Sequence, residues 1–406
     1  MLSRLATLYK NSYSGLSKEI WLLSFVMLVN RSGTMVLAFM TLYCRHLGFS
    51  TAQAGWTVSG YGLGSIAGAY LGGKVSDRFG FYPTQFSALF LGGTFFILLG
   101  KMESYPSILV CTFFLSMVNE SFRPANATAI AHYSHAGNRT QAFSLVRLAI
   151  NMGWGIGSAL GGILASIDYH WLFWTDGCTN ILASFLLLLL LPRVRSGHLH
   201  ARQSGLVKPA GIQAAPYRDK IFMIFLALQV LFAIAFFQLF TTVPLFMKEG
   251  LKLDEFNIGV IMAANGIMIA LFEMVLVFSL EGRRAYLSLM TAGSVLMAIA
   301  YIILNLSWPG GFVIASVFIV IITLSEMIAM PFMNSFYISR SSDQNRGQYA
   351  GLYTMAWSVA QVIGSASGAW LANWLGFSGL WVLIFSLSLI AGFGYYRLHL
   401  YNRSHQ

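Results

Sequence analysis

Acidic side chains are scarce in this chain of 406 residues: 14 Asp and Glu stand against 25 Lys and Arg, and charged residues of both signs make up only 10%. A soluble globular domain carries about a quarter of its residues as charges. With 57% hydrophobic residues and a mean hydropathy of +0.67, the composition excludes an ordinary water-soluble fold. Cysteine is scarcer still: Cys44, Cys111 and Cys178 fall in or beside separate apolar runs, so no disulfide framework is suggested. Alternating ten-residue segments are lacking, which argues against an outer-membrane barrel. The first apolar run is too long, and too weakly marked by a cleavage site, for a removable signal peptide.

What is present is a series of apolar runs. A transmembrane helix needs about 20 mostly apolar residues. Twelve runs fit, near 20–44, 52–73, 84–100, 106–131, 141–166, 171–191, 221–247, 256–280, 286–306, 309–335, 347–372 and 377–398. The expected fold is all-α, a polytopic membrane protein of twelve transmembrane helices. With these spans, eighteen basic residues lie in loops on one side, only Arg45, Lys101, Lys248 and Lys252 on the other, and three arginines within spans. The positive-inside rule then places both termini in the cytoplasm. The same distribution assigns the net charge of +11 to topology and anionic-lipid contact, with no nucleic-acid partner.

The longest polar segment, "RVRSGHLHARQSGLVKPAGIQAAPYRDK", divides the chain into a bundle over 1–192, a cytoplasmic linker over 193–220 and a bundle over 221–406. The halves resemble each other. "PANATAIAHYSHAGNRTQ" from Pro124 and "PFMNSFYISRSSDQNRGQ" from Pro331 both place Asn-Arg-x-Gln fourteen residues after the proline. At the same displacement of 207, "IGSALGGILA" from Ile156 falls on "IGSASGAWLA" from Ile363, with no gap across about fifty residues. An internal duplication accounts for this agreement.

Four acids, Glu120, Asp176, Glu273 and Glu326, and three arginines, Arg31, Arg123 and Arg147, lie inside expected spans. Each costs about 2.5–3.5 kcal/mol at the bilayer centre, so such residues face a wet cavity or a partner. Glu120 and Arg123 share one helix face with Ser116 and Ala127, and Arg147, Asn151, Trp154 and Ser158 form a similar stripe. A purely structural ion pair is the other reading of Glu120 and Arg123. A carboxylate that alternates between a dry and an arginine-lined environment takes up and releases a proton, which makes Glu120, Glu273 and Glu326 coupling candidates. For Asp176, near the outer end of its helix, capping or packing is the expected role.

Enzymatic chemistry finds no support. "GAYLGGKV" from Gly68 has the spacing of a phosphate-binding loop, but Val75 replaces its Ser or Thr and its glycines lie in a membrane helix. "HYSH" from His132 has no companion acid, so no metal site is expected. No catalytic residue and no cofactor are expected.

Between the second and third runs, "GGKVSDRFGFYP" resembles the signature loop of the major facilitator superfamily. Gly73, Asp77, Arg78 and Gly80 match its pattern, while Phe81 and Tyr82 replace two usual basic residues. The twelve runs, the linker and the duplication extend the resemblance over essentially the whole chain. It implies two pseudo-symmetric six-helix bundles, with the first, fourth, seventh and tenth helices lining a central cavity. It also implies that Asp77 faces the start of the eleventh helix, near Gly347 to Gly351, and latches one conformation. In the second half "FSLEGRRAYLSL" keeps Arg283 and Arg284 but lacks the aspartate, so the latch is asymmetric. "RLAINMGWGIGSALGG" from Arg147 resembles the fifth-helix motif of proton-coupled drug exporters, with Ser158 where their proline stands. The resemblance thus implies a secondary transporter in the inner or plasma membrane that moves a small organic solute by alternating access. Proton-coupled export of drugs, peptides or metabolites is favoured, with protons and membrane lipid as its other partners and a monomeric state. The alternatives are a proton-coupled nutrient importer and a non-transporting receptor; the short tail after Arg397 shows no signalling module.

Overall fold

The computed structural model describes residues 2–192, 215–306 and 310–403, and all regular structure among them is helical. Most of the linker expected over 193–220 lies outside the described residues, save a single 3-10 turn at Pro216–Arg218. A bilayer offers no water to backbone amides, so each crossing segment must satisfy its N–H and C=O groups internally. Several helix starts carry a side chain that caps them. Ser17 accepts from the amide of Ile20, Asp219 from that of Phe222 and Asp254 from that of Asn257, and Ser50 forms a capping box with Gln53.

Among the described residues, eight helices are long and apolar enough to cross a membrane on composition alone. They supply the third, fifth to tenth and twelfth of the twelve expected spans. The other four are broken or rich in small and polar residues. The first span is two helices, α2 (Lys18–Ser32) and α3 (Val36–His46). The second, α4 (Thr51–Phe79), runs past the expected 52–73. The third is α5 (Phe81–Leu99). The fourth is α6 (Tyr105–Glu120) and α7 (Phe122–Tyr133), which part at Ser121. Pro124 lacks the N–H that the Glu120 carbonyl would accept one turn earlier, and its ring crowds that carbonyl, so the helix opens there. The fifth and sixth spans are α8 (Arg139–Ile167) and α9 (His170–Leu190). The seventh begins as α10 (Lys220–Phe237) and ends, after a 3-10 turn, as α11 (Thr242–Glu249). The eighth, ninth and tenth are α12 (Glu255–Leu280), α13 (Tyr286–Ile303) and α14 (Gly311–Arg340). Continuous helical pairing runs from Arg346 to Arg403, but Gly376, at φ 70° and ψ 170°, divides it into the eleventh and twelfth spans. One helix was not expected: α1 (Leu2–Tyr13), too short to cross a bilayer, where the Tyr9 hydroxyl donates to the Leu271 carbonyl.

Packing groups the chain differently from its sequence halves. One compact unit comprises Leu16–Pro216 with Ser341–Ser358; the other comprises Met1–Gly15, Tyr217–Arg340 and Val359–Gln406. In the first, the second span lies on the fourth along a ridge of glycines. A Cβ on Gly64 or Gly68 would come within 2.2 Å of the Phe113 carbonyl or 2.1 Å of that of Met117. This contact explains the modest apolarity of the second span: it buries backbone rather than large side chains.

The fifth span packs on the first in the same way. Cβ atoms on Gly153 and Gly161 would lie 2.7 Å from Arg31 Cβ and 2.9 Å from Met35 Cβ, and one on Gly157 would lie 3.1 Å from the Arg31 carbonyl. At the 207-residue displacement, Gly364 and Gly368 meet the Ile234 carbonyl and the Gln238 side chain, so the same helix contact recurs in the other unit. Replacing Gly157 by Leu is therefore expected to lower the thermal unfolding temperature in detergent and to depress transport. A variant as stable as the parent would mean that the ridge tolerates bulk.

Candidate functional site

The first unit gathers charge where the fourth span breaks. Nη1 of Arg123 donates to Oε2 of Glu120 at 3.2 Å, and the side chains are 45% and 11% exposed. The pair is therefore sealed on the Glu120 side and open on the Arg123 side. The second span contributes Tyr61, fixed because the Ser116 hydroxyl donates to the Tyr61 carbonyl at 2.6 Å. Arg31 lies within electrostatic reach of Glu120, Arg123 and Tyr61, and its Nε is buried with no hydrogen-bond partner among the described residues. Tyr353, from the segment of the eleventh span that belongs to this unit, is buried against Trp357 and within reach of Arg123 and Arg147. Asn151, one turn beyond Arg147, is half-buried. The cluster thus joins Arg31 and Arg123 to the one carboxylate of Glu120, and Tyr353 links it to Arg147.

The second sequence half has a different arrangement. At the 207-residue displacement, the positions of Arg31, Arg123 and Arg147 are taken by Gln238, Met330 and Thr354, all neutral, the first two in the other unit and Thr354 in the first. Its acid is Glu326, at the place of Asn119. Glu326 is 2% exposed, and its Oε1 accepts from Nδ2 of Asn265 at 3.0 Å; the same amide nitrogen donates to the Thr323 hydroxyl at 2.9 Å. An amide that spends both protons this way orients a carboxylate and a hydroxyl toward each other. Glu273, also 2% exposed, lies elsewhere in the other unit, within electrostatic reach of Tyr13 at the end of α1.

Asp77 belongs to the first unit and meets a helix start. Its Oδ1 accepts from the Gly347 amide at 2.6 Å and its Oδ2 from the Gln348 amide at 2.8 Å. A carboxylate there satisfies two amides that the helix cannot, and it complements the positive end of the helix dipole. The approach requires Gly73, because a Cβ there would lie 2.4 Å from the Gly347 carbonyl, and Gly80, whose φ of +95° turns the chain into the third span. Arg78 is exposed, 5.3 Å above the ring of Phe79.

Asp176 is 1% exposed and caps the second piece of the broken first span. The Met35 amide donates to its Oδ1 at 3.1 Å and the Val36 amide to its Oδ2 at 3.0 Å. One turn on, Asn180 accepts from Nδ2 of Asn30 at 2.8 Å and donates to the Asp176 carbonyl. These contacts hold the first span to the sixth, and with it the buried Arg31.

The sequence matches the Major Facilitator Superfamily over residues 20–365. The chain belongs to that superfamily. It is a multi-pass membrane transporter by family. Among curated superfamily relatives, a Na(+), Li(+), K(+)/H(+) antiporter of Planococcus maritimus is 24% identical over 406 residues, covering 92% of this chain and 94% of that one. The quinolone resistance protein NorA of Staphylococcus aureus is 21% identical over 352 residues, covering 86% and 88%. Two solved structures share the fold at 13% identity: the human organic anion transporter MFSD10, with a TM-score of 0.74 over 93% of this chain and 99% of that one, and the Escherichia coli fucose:proton symporter FucP, with a TM-score of 0.69 over 93% and 98%.

Within this superfamily frame, several polar residues of the two clusters were not singled out from the sequence. Tyr61 carries no charge and sits between glycines, its partner Asn119 is a neutral neighbour of Glu120, and Tyr353 and Trp357 lie in the opposite sequence half from the cluster they join. Asn265 and Thr323 offered one usable signal: a buried amide on one apolar helix and a hydroxyl one turn before Glu326 on another.

Proposed function

We propose that the protein is a secondary active transporter that exports a small organic solute in exchange for protons, by alternating access, in the plasma membrane with both termini in the cytoplasm. The cluster of Arg31, Glu120, Arg123 and Arg147 carries the reading. A titratable carboxylate held by guanidinium groups, and open on one side, suits both proton exchange and solute binding. Three positive groups to one negative favour a solute that bears a carboxylate or another anionic group. The curated relatives support exchange and export: one is named as a proton antiporter and the other as a resistance protein. Glu326, with Asn265 and Thr323, is the second proton-carrying candidate, and Glu273 the third. The sequence halves 1–192 and 221–406 are the repeat units, joined by the 193–220 linker.

Flux in reconstituted vesicles tests this. An imposed proton gradient is expected to drive solute against its own gradient, with protons moving the opposite way. Protons moving with the solute would make it an importer or symporter, and binding without accumulation would make it a receptor. Alkali cations belong in the solute panel because of the Planococcus relative.

Asp77 is the proposed latch. Asp77→Asn removes the charge and leaves one oxygen for two amides, so folding is expected to survive while the conformational equilibrium shifts away from the outward-open state. Labelling of engineered cysteines on the outer side reads this shift. Unchanged accessibility with full transport would leave Asp77 as a helix cap alone.

A further inference from the structure

A cavity of about 550 Å³ opens at one end of the unit that contains Tyr217–Arg340 and Val359–Gln406. Three pieces of chain wall it: the turn before α13, the last turn of α14 and the last turns of the twelfth span. Arg284, Arg340, His399 and Arg403 line it, and among the described residues no acidic side chain does. Arg340 is already committed, with Nε and Nη2 donating to Oδ2 and Oδ1 of Asp219 at 2.8 Å each. That bidentate pair ties the tenth span to the start of the seventh and fixes one wall. Arg284 and Arg403 are exposed and make no ion pair among the described residues. Beside them α13 follows Ala285, whose methyl group cannot cap it, so the positive end of an 18-residue helix faces the same space.

The duplication sharpens the point. Arg284 occupies the place of Asp77 at the 207-residue displacement. An aspartate accepts from helix amides; an arginine has no acceptor and cannot repeat that contact. Its charge is left for a different partner. Below the arginines the wall is apolar, with Tyr286, Leu287 and Phe336. Its size falls within the roughly 300–1,000 Å³ of small-molecule sites.

We propose that this cavity binds a phosphate-bearing ligand through Arg284 and Arg403. Guanidinium forks match phosphate oxygens, and the helix start adds backbone donors. The phosphate has two possible sources: the headgroup of an anionic lipid, whose glycerol would rest on the apolar wall, or a soluble phosphate. The site is separate from the transport cluster and does not depend on it.

The test uses the purified full-length protein in neutral detergent. Affinities are measured for dioctanoyl phosphatidylglycerol, for dioctanoyl phosphatidylcholine and for inorganic phosphate. The parent is expected to bind phosphatidylglycerol or inorganic phosphate, and R284A/R403A to bind it at least ~tenfold more weakly, since both charge-assisted contacts are lost. R284K/R403K keeps the charge and is expected to retain most of the affinity. Binding of phosphatidylglycerol that inorganic phosphate does not displace identifies the lipid source, whereas binding of inorganic phosphate without phosphatidylglycerol identifies the soluble one. Equal affinities for every probe in the parent and R284A/R403A would overturn the proposal. Should the double variant fail to purify as a folded protein, Arg284→Glu alone carries the test, with the same loss expected and unchanged affinity decisive against it.

Discussion

Glu120→Gln is expected to cut proton-driven transport at least about tenfold, a loss of roughly 1.4 kcal/mol in the rate-limiting barrier, and to flatten its pH dependence. The substitution keeps shape and hydrogen-bonding capacity but cannot carry a proton. Arg123→Ala leaves Glu120 without its 3.2 Å partner and is expected to weaken anionic and zwitterionic solutes most. The double replacement separates site from scaffold. Removing one member of a buried pair leaves an uncompensated charge, a cost that the exposure of Arg123 lessens here, whereas removing both is often neutral. Stability is therefore expected to recover in Glu120→Gln with Arg123→Ala, while transport stays lost. Thermal unfolding, solute binding and flux on all three variants decide the matter. An active double variant with a normal pH profile would reduce the pair to a structural bridge, and pH dependence that survives only the loss of Glu120 would move the proton to Glu326.

Asp176→Ala is expected to have the largest effect on stability. Two amides, those of Met35 and Val36, lose their acceptor in a site that is 1% exposed, and a buried donor left unsatisfied costs about 1–3 kcal/mol. The α3 start then unravels or fills with water, and Arg31, held by the same span, loses its setting. Asp176→Asn keeps one acceptor and is expected to lose about half as much. Unfolding temperatures in detergent, ordered parent above Asn above Ala, check this. Three equal values would mean that the first span holds its break without help.

The twelve spans were legible because the bilayer imposes a length and a composition that a reader can count. Their interruptions were less so. Residues Gly33 to Met35 look like the rest of an apolar run, and the residue that holds them open is 141 positions away. Pro124 and Pro331 are visible in the sequence and match by duplication, yet α7 parts from α6 at one while α14 runs on through the other. The packing on either side decides between those outcomes, and no window of sequence contains it. The charged residues of the cluster were readable because charge in a membrane helix is rare. Their neutral neighbours were not, since Tyr and Asn at helical spacing say little by themselves. α1 escaped notice because a twelve-residue helix has neither the length nor the apolarity that mark a span.

The composition of the first unit sets an order on biosynthesis. Asp77 and its amide partner Gly347 are 270 positions apart, so at about 5–20 residues per second the partner emerges roughly 15–50 s after the aspartate. Through that interval the nascent first six spans lack Tyr353, Trp357 and the helix start that Asp77 receives. A fragment ending before the seventh span would remain in that waiting condition permanently, with a carboxylate exposed at its loop and one wall of its charged cluster missing. Completion of the eleventh span supplies both, through the Gly347 and Gln348 amides and the Tyr353 segment.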